Sequence, residues 1–336
     1  MTSLGSLSDK QVDRLIKRIV LVLAIGIPLI AFLYVSDRHV AAGPTQSQRE
    51  VAAAEAAVQK DPNDLGARVT LAAAYVTDKR FDDGIAQFTE ILKVDPGNRA
   101  ALLGRGIAYI EVAKVDAAAQ KPDLQTAQLG LAAADFQAFI DGSKSGEFAA
   151  TDPQLEQAYY NLGVVKLQQG QAADAVTALH AALAIDSGDA DALYSYGMAL
   201  IATGDAADAI APLRRAVQFV PTGWSEPYQA LSTAYTQTAD ANGIAYAGAM
   251  VAFCAGQLDQ AKAALQPLTT GPMATDALLG LASISAEQGA IEAARGYYNQ
   301  VLATDPTNAS ALIGLDQLGL GAGQTMPAAS PTAGSN

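Results

Sequence analysis

The chain has 336 residues, of which 50% are hydrophobic and only 16% are charged, and its formal net charge is −13 at pH 7. This acidic balance argues against nucleic acid as a partner, because proteins bind phosphate backbones mainly through lysine and arginine. It favours a neutral or basic partner instead. The single cysteine, Cys254, excludes a disulfide within the chain and does not reveal the redox compartment.

An apolar segment near the N-terminus is the first element in chain order. Residues 19–35 form a run of 17 residues without charge, and four basic residues precede it. At the helical rise this run spans roughly 25 Å, slightly less than a hydrocarbon core of about 30 Å. We predict a transmembrane helix over 19–35, with the lipid bilayer as its partner. The excess of basic residues before it predicts that residues 1–18 are cytoplasmic and that the rest of the chain is extracytoplasmic.

Two other interpretations of this segment stay open. A cleaved signal peptide would use the small residues at Val40-Ala41-Ala42, although these lie well beyond an apolar run that is long for a signal. A buried helix of a soluble domain is the other alternative. Residues 36–46 follow as a predicted linker that contains Gly43-Pro44.

A pattern of residue types then recurs at a spacing near 34 residues. Two adjacent copies at 156–189 and 190–223 show it most clearly, with an aromatic or Leu, a Gly, a Gly-containing turn and two Ala at matching positions: Tyr159, Gly163, Gly170, Ala175 and Ala182, then Leu193, Gly197, Gly204, Ala209 and Ala216. A period of this length with these residue types predicts stacked helical hairpins.

The same pattern, read along the chain, predicts helices from residue 47 to 319. A helix over about 46–60 ends at Asp61-Pro62, since proline stops a helix, and 65–98 forms a full repeat. Residues 99–153 form a repeat with an insertion in 112–153 and a flexible loop at 141–146. After the two clear repeats, a helix carries Tyr228, Leu231 and Tyr235. Later helices are predicted near 244–255, 258–268, 275–288, 291–303 and 308–319.

The repeat register between 224 and 275 stays open in this interpretation. Residues 320–336 lack charge and have little apolar surface to bury, so we predict a disordered tail.

Small residues at two recurring positions resemble those of the tetratricopeptide-repeat family, and the resemblance covers roughly 47–319. The first-helix position holds Ala72, Gly106, Gly163, Gly197 and Ser232, and the second-helix position holds Gly84, Ala132, Ala175, Ala209, Ala261 and Ala294. Paired helices with axes about 8–10 Å apart leave no room for long side chains at these crossings. The chain departs from the family pattern at Arg105, Lys166 and Ser187. The resemblance implies an all-α fold, namely an N-terminal transmembrane helix followed by an α-solenoid of tetratricopeptide-type hairpins coiled into a superhelix.

In this family the first helices line a concave groove that holds a peptide. By family register the groove residues of this chain are Tyr160, Asn161, Val164, Tyr194, Ser195, Met198, Gln229 and Thr233. Tyrosine suits peptide recognition because it offers a large apolar ring and a hydroxyl. The alternative is that these tyrosines only pack between repeats, as Tyr159, Tyr196, Tyr228 and Tyr235 are expected to do. Basic residues are almost absent from these helices, so we do not expect the family's clamp for a terminal carboxylate.

No set of nucleophile, base and acid emerges from the sequence, so we expect no enzyme activity, no catalytic residue and no cofactor. We also expect no metal site, because neither His39 nor His180 has a Cys or His companion at ligand spacing.

The resemblance and the anchor together imply a membrane-tethered scaffold or chaperone-like adaptor of the bacterial cell envelope, in the inner membrane with its repeats on the periplasmic side. It would bind a protein or peptide in the groove. The layout is also similar to the repeat subunits of cytochrome c maturation, which capture the apocytochrome, although no motif here is specific to them. An accessory module of an envelope enzyme complex is the alternative from a different class. The partner, the process and the oligomeric state stay open.

Overall fold

The computed structural model describes residues 43–219 and 223–319. These residues form fifteen α-helices and two short 3-10 helices, and no strand occurs among them. The α-helices are α1 (Gln46–Lys60), α2 (Leu65–Thr77), α3 (Phe81–Val94), α4 (Arg99–Ala118), α5 (Pro122–Ser143), α6 (Pro153–Gln168), α7 (Ala172–Ile185), α8 (Ala190–Thr203), α9 (Ala206–Phe219), α10 (Glu226–Gln237), α11 (Ala241–Cys254), α12 (Leu258–Leu265), α13 (Ala274–Glu287), α14 (Ile291–Thr304) and α15 (Ala309–Gly319). The 3-10 helices are Ala149–Thr151 and Gln266–Leu268.

The transmembrane helix predicted at 19–35, the segment 1–18 and the tail 320–336 lie outside the described residues. Within the described ranges, no helix combines the length and the apolar character that a membrane crossing requires.

The chain divides into two compact units, residues 1–53 and 54–336, and the boundary falls inside α1. In the first unit, Thr45 begins α1 with a capping box. Its hydroxyl accepts a hydrogen bond from the backbone nitrogen of Gln48 at 3.2 Å, and the Gln48 side chain accepts one from the backbone nitrogen of Thr45 at 3.1 Å. These two bonds satisfy backbone donors that the start of a helix leaves free.

The second unit is built from helical hairpins in which each helix packs against its neighbours in sequence. The turn from the first to the second helix of a hairpin uses a residue with positive φ, such as Gly170 at 73° and Gly204 at 94°. Lys79, Gln120 and Ala239 take this conformation without being glycine. The return turn relies on an N-cap instead: the Asp189 carboxylate accepts hydrogen bonds from the first backbone nitrogens of α8 at 2.8 and 3.0 Å.

Close helix crossings explain the small residues of the repeat. A Cβ added to Gly163 would lie 2.4 Å from Cγ of Leu179, and one added to Gly197 would lie 2.5 Å from Cγ of Leu213. The alanines predicted at the second-helix crossings are fully buried, at Ala132, Ala175, Ala209, Ala261 and Ala294. The predicted register of the hairpins is therefore confirmed in these repeats.

The insertion in 112–153 lengthens two helices more than it builds a loop. α4 has 20 residues and α5 has 22, whereas α6 has 16 and α7 has 14. Our prediction of a loop over 141–146 was partly wrong, because α5 continues to Ser143. The family departure at Arg105 supports this hairpin: its guanidinium donates to both carboxylate oxygens of Asp135 on α5, at 2.7 and 2.8 Å, and to Thr89 on α3 at 3.1 Å.

The order of first and second helices changes between α10 and α11. The positive-φ turn residues Gly204 and Ala239 are 35 positions apart, as in a full repeat, but Gly256 follows Ala239 after only 17. α11 therefore ends the hairpin that α10 begins and also begins the hairpin that α12 ends. Before this point, α2, α4, α6, α8 and α10 contact one another in sequence; after it, α11 contacts α13 and α13 contacts α15.

One ion pair joins the helices on either side of α11. Arg214 on α9 donates a hydrogen bond to the carboxylate of Asp276 on α13. Because the helix order changes at this point, the row of first helices that includes α6 and α8 ends at α10.

Candidate peptide-binding face

Three neighbouring first helices carry the residues that the sequence predicts for recognition. α6 contacts α8, and α8 contacts α10. We call the outward residues of these helices the first-helix face: Tyr160, Asn161, Val164, Tyr194, Met198, Gln229 and Thr233. Met198 is 36% exposed, Gln229 and Thr233 are exposed, and the other four are half-buried. These side chains can therefore meet a partner without any unfolding of the array.

Ser195 is the member of the predicted set that does not reach the surface. It is only 7% exposed, and it lies close enough to the Tyr160 hydroxyl to lower the pKa of that group slightly against the larger effect of burial. Position within a repeat could place Ser195 on the right helix but could not show this depth of burial. Ser195 therefore offers little surface of its own to a partner.

Trp224 borders the face and is not among the groove residues predicted from the sequence. Its ring meets that of Tyr194 edge-on, with centroids 5.3 Å apart and an interplanar angle of 66°. Edge-to-face contact is a favoured arrangement of aromatic rings. Trp224 therefore fixes one side of Tyr194 and adds an aromatic edge to the face.

Four other tyrosines of these repeats differ in burial, and only two of them belong to the core. Tyr228 and Tyr235 on α10 are 2% and 1% exposed, as expected from their core positions. Tyr159 and Tyr196 are only half-buried, and each packs against a buried apolar cluster, as the two tyrosines of the first-helix face also do. They are less deeply placed than the sequence predicted.

Carboxylates lie at the N-terminal ends of the same three helices. The first turns of α6, α8 and α10 contain Glu156, Asp191 and Glu226, respectively. Burial raises the pKa of Glu156 to about 8, and the neighbouring Asp189 and Asp186 add to the rise. Burial and then Asp189 also raise the pKa of Asp191.

The tyrosine hydroxyls of the face respond to the same surroundings. Burial raises the pKa of Tyr160 to about 12, and the charges of Asp191 and Asp189 add to this effect. Burial and then Glu226 raise the pKa of Tyr194. Both hydroxyls therefore remain protonated near neutral pH and can donate a hydrogen bond to a partner.

Basic side chains are missing from this part of the surface. α8 and α10 contain no Lys, Arg or His. Lys166 of α6 turns towards α7, where its ammonium donates to Gln171 at 2.7 Å and lies 3.8 Å from Asp174. Over residues 43–219 and 223–319, none of the carboxylates of Glu156, Asp191 and Glu226 forms an ion pair.

A metal centre is not suggested by the geometry of the described part of the chain, where no group of three or more His, Cys, Asp or Glu side chains is placed to hold an ion. Cys254 is half-buried at the end of α11, where burial raises the pKa of its thiol and the backbone of Gly223 and Trp224 lies close to it. Its contact is with the segment that carries Trp224, which gives it a structural explanation.

Family models decide what kind of array this is. Models of the tetratricopeptide repeat match residues 45–102, 160–223 and 246–309, together more than half of the chain. The chain belongs to the tetratricopeptide-repeat family. The second and third matches leave α10 between them, and the third begins inside α11. The tetratricopeptide repeats on either side of α10 are thus matched separately, in agreement with the change in helix order seen in the structure.

Solved structures show similar folds at low identity. MamA is 20% identical with a TM-score of 0.48, over 58% of this chain and 94% of its own. YrrB, described as a tetratricopeptide-repeat protein with an unusual peptide-binding site, is 18% identical with a TM-score of 0.47, over 65% of this chain and 94% of its own.

The C-terminal part of a repeat protein from Cytophaga hutchinsonii is 15% identical with a TM-score of 0.47, over 80% of this chain and 94% of its own. Such values carry no function from one protein to another. No curated protein matches the sequence.

Proposed function

We propose that this tetratricopeptide-repeat protein is a scaffold that binds a peptide, or an extended segment of a protein, on the first-helix face. The observation that carries the proposal is the continuity of that face. Three helices, of which α8 contacts both α6 and α10, present apolar, aromatic and hydrogen-bonding side chains that the rest of the described chain leaves at least partly accessible.

The size of the face suits a short extended segment. Helices that pack about 8–10 Å apart place α6 and α10 roughly 16–20 Å from each other. An extended chain rises about 3.3 Å per residue, so about five or six residues would cross the face. Tyr160 and Tyr194 would provide most of the contact area, because tyrosine loses little conformational entropy on binding.

Membrane tethering is part of the proposal and is supported by the sequence alone. The uncharged run at 19–35 is suited to a single-pass anchor, with the basic residues before it on the cytoplasmic side and the repeats extracytoplasmic, as in a bacterial envelope protein. A tether of this kind would raise the local concentration of a bound partner at the membrane. The role is one of binding rather than of catalysis.

A selection from random peptides tests the binding proposal without assuming the partner. The full chain, in mild detergent, is used to select binders from a phage-displayed peptide library. Each selected peptide is then measured against a variant in which Tyr160 and Tyr194 are alanine. We expect a loss of at least about 2 kcal/mol, or roughly thirtyfold in affinity, which is the range of interface hot spots.

The matched control removes two half-buried tyrosines elsewhere, Tyr109 on α4 and Tyr297 on α14. This control should bind the selected peptides as the wild type does. Equal affinity of the wild type and the Tyr160/Tyr194 variant for every selected peptide would refute the proposed site.

A further inference from the structure

We propose that the occupant of the first-helix face is a basic segment that places Lys or Arg side chains between the aromatic rings of the face and the carboxylates at the N-terminal ends of its helices. The inference rests on the proposed function, since it names the partner class for the same surface.

Charge complementarity is the first argument. Asp191 and Glu226 bring two carboxylates to the first turns of neighbouring helices of the face, and no Lys or Arg of the described chain pairs with them. Glu156 adds little charge at neutral pH, because burial raises its pKa to about 8. By contrast, Arg99 near the start of α4 is already held by Asp152. An acidic segment would meet like charges on this face and no cation, whereas a basic segment would meet unpaired opposite charges.

The aromatic side chains favour the same ligand. A guanidinium or ammonium group is attracted to the face of Tyr and Trp rings. The protein itself uses this contact, since Arg80 stacks over Tyr75 at 4.2 Å and Arg99 over Phe139 at 4.7 Å. Tyr194 and Trp224 are half-buried and offer accessible ring surface beside Glu226, whose charge reaches the Tyr194 hydroxyl.

Regular spacing of the carboxylates defines the sequence of the occupant. Asp191 and Glu226 are 35 positions apart, as are the turn residues Gly204 and Ala239, so the two carboxylates hold equivalent positions on neighbouring first helices. Helix axes about 8–10 Å apart correspond to about three residues of extended chain. The segment that fits best therefore carries a basic residue at every third position.

The state of the carboxylates agrees with a missing countercharge. The pKa of Glu156 and the pKa of Asp191 are both raised, first by burial and then by neighbouring carboxylates. A bound cation would offset the repulsion that Asp189 exerts on Asp191.

Three synthetic probes separate charge from shape. Capped, fluorescein-labelled peptides of about nine residues share the same apolar residues and carry Arg, Gln or Glu at every third position. Binding to the full chain is measured by fluorescence anisotropy. We expect the Arg peptide to bind at least about tenfold more tightly than the Gln peptide, the Glu peptide to bind most weakly, and added salt to weaken the Arg peptide most.

Two charge-neutral variants locate the effect. The variant Asp191→Asn/Glu226→Gln should lose about tenfold in affinity for the Arg peptide and little for the Gln peptide. The control Asp208→Asn/Glu292→Gln removes two exposed carboxylates on the second helices α9 and α14 and should bind as the wild type does. Both changes keep side-chain size, and thermal melting checks that each variant is folded.

The outcomes distinguish this inference from the proposed function. Equal loss in the two charge variants would show that the peptide follows the net charge of the protein, which overturns the inference. Equal binding of all three peptides, with loss in the Tyr160/Tyr194 variant, would overturn the inference and leave the proposed function standing. No binding of the Arg peptide, while library-selected peptides still need Tyr160 and Tyr194, would do the same. No dependence of any peptide on Tyr160 and Tyr194 would overturn both.

Discussion

Replacing Gly163 by alanine should show how tightly the paired helices cross. The added Cβ would lie 2.4 Å from Cγ of Leu179 and 2.9 Å from its Cδ2, closer than real Cβ contacts allow. Leu179 is fully buried, so it cannot move away freely. Overpacking of this kind costs about 1–3 kcal/mol. Alanine in a helix regains about 0.5–1 kcal/mol over glycine, so the expected net loss of stability is about 0.5–2 kcal/mol.

Gly296→Ala on α14 is the matched control. Gly296 is also helical, but a Cβ there meets nothing within 4 Å. This variant should gain about 0.5–1 kcal/mol from helix propensity alone, so the two variants should differ by about 1–3 kcal/mol. Gly146 is a poorer control, because a Cβ there would lie 3.2 Å from the Ser143 carbonyl oxygen.

Urea denaturation followed by circular dichroism measures the difference, and a double-mutant cycle assigns it to one contact. Leu179→Ala alone should cost about 2–5 kcal/mol. Combined with Gly163→Ala, it should cost less than the sum by about 1–3 kcal/mol, because each change relieves the other. Equal stabilisation by Gly163→Ala and Gly296→Ala would refute the crossing assigned here.

Three further predictions address charge and topology. The wild type should lose stability between about pH 4.5 and pH 8, because the pKa of Glu156 is about 8 in the folded state and 4.5 ordinarily. Glu156→Gln should therefore match the wild type below about pH 4.5 and become increasingly more stable than it up to about pH 8. Melting curves across this range test this, with exposed Glu287→Gln as the control, and parallel stability profiles of Glu156→Gln and the wild type would contradict it. Asp135→Leu should lower the stability by about 3 kcal/mol, because it leaves Arg105 without its partner. Adding Arg105→Met to the same chain should restore part of that stability in denaturation experiments, and no recovery would contradict the role assigned to this ion pair. Residues 45–319, produced without the apolar run, should stay in solution without detergent and give a helical circular dichroism spectrum, and a substantial strand component would count against the fold.

The repeat could be predicted from the sequence because its cause is local. Gly163 and Gly197 are small for the same reason, namely that Leu179 and Leu213 fill the space a Cβ would need. Each such requirement recurs with every hairpin, so the pattern is visible as a period. The bounds of α1 at 46–60 also have local causes, namely the Thr45 capping box at its start and Asp61-Pro62 after its end.

The change of helix order near α10 could not be resolved from the same pattern. Tyr228, Leu231 and Tyr235 fit a first helix, but α11 is almost wholly apolar and packs on both sides. A helix without a polar face has no periodicity that would reveal which partner it pairs with. The short interval between the turn residues Ala239 and Gly256 is the one sequence signal of the changed helix order. It is weak, because an alanine in the sequence does not indicate a residue with positive φ.

The helices of the candidate site could be predicted from the sequence, but its electrostatics could not. Tyr160 and Tyr194 follow from repeat position, whereas the burial of Ser195 and the ring contact of Trp224 depend on how neighbouring repeats dock. The raised pKa of Glu156 arises because burial on α6 coincides with carboxylates of the turn that follows α7. Such a combination has no signature within a single repeat.

Hydrogen–deuterium exchange with a library-selected peptide is the most direct test of peptide binding on the first-helix face. The full chain is compared with and without saturating peptide, and protection is assigned by helix. We expect added protection in α6, α8 and α10, with little change in the second helices α7 and α9, and loss of that protection in the Tyr160/Tyr194 variant. Protection confined to the lengthened hairpin α4–α5, or to α11–α15, with α6, α8 and α10 unchanged, would contradict it.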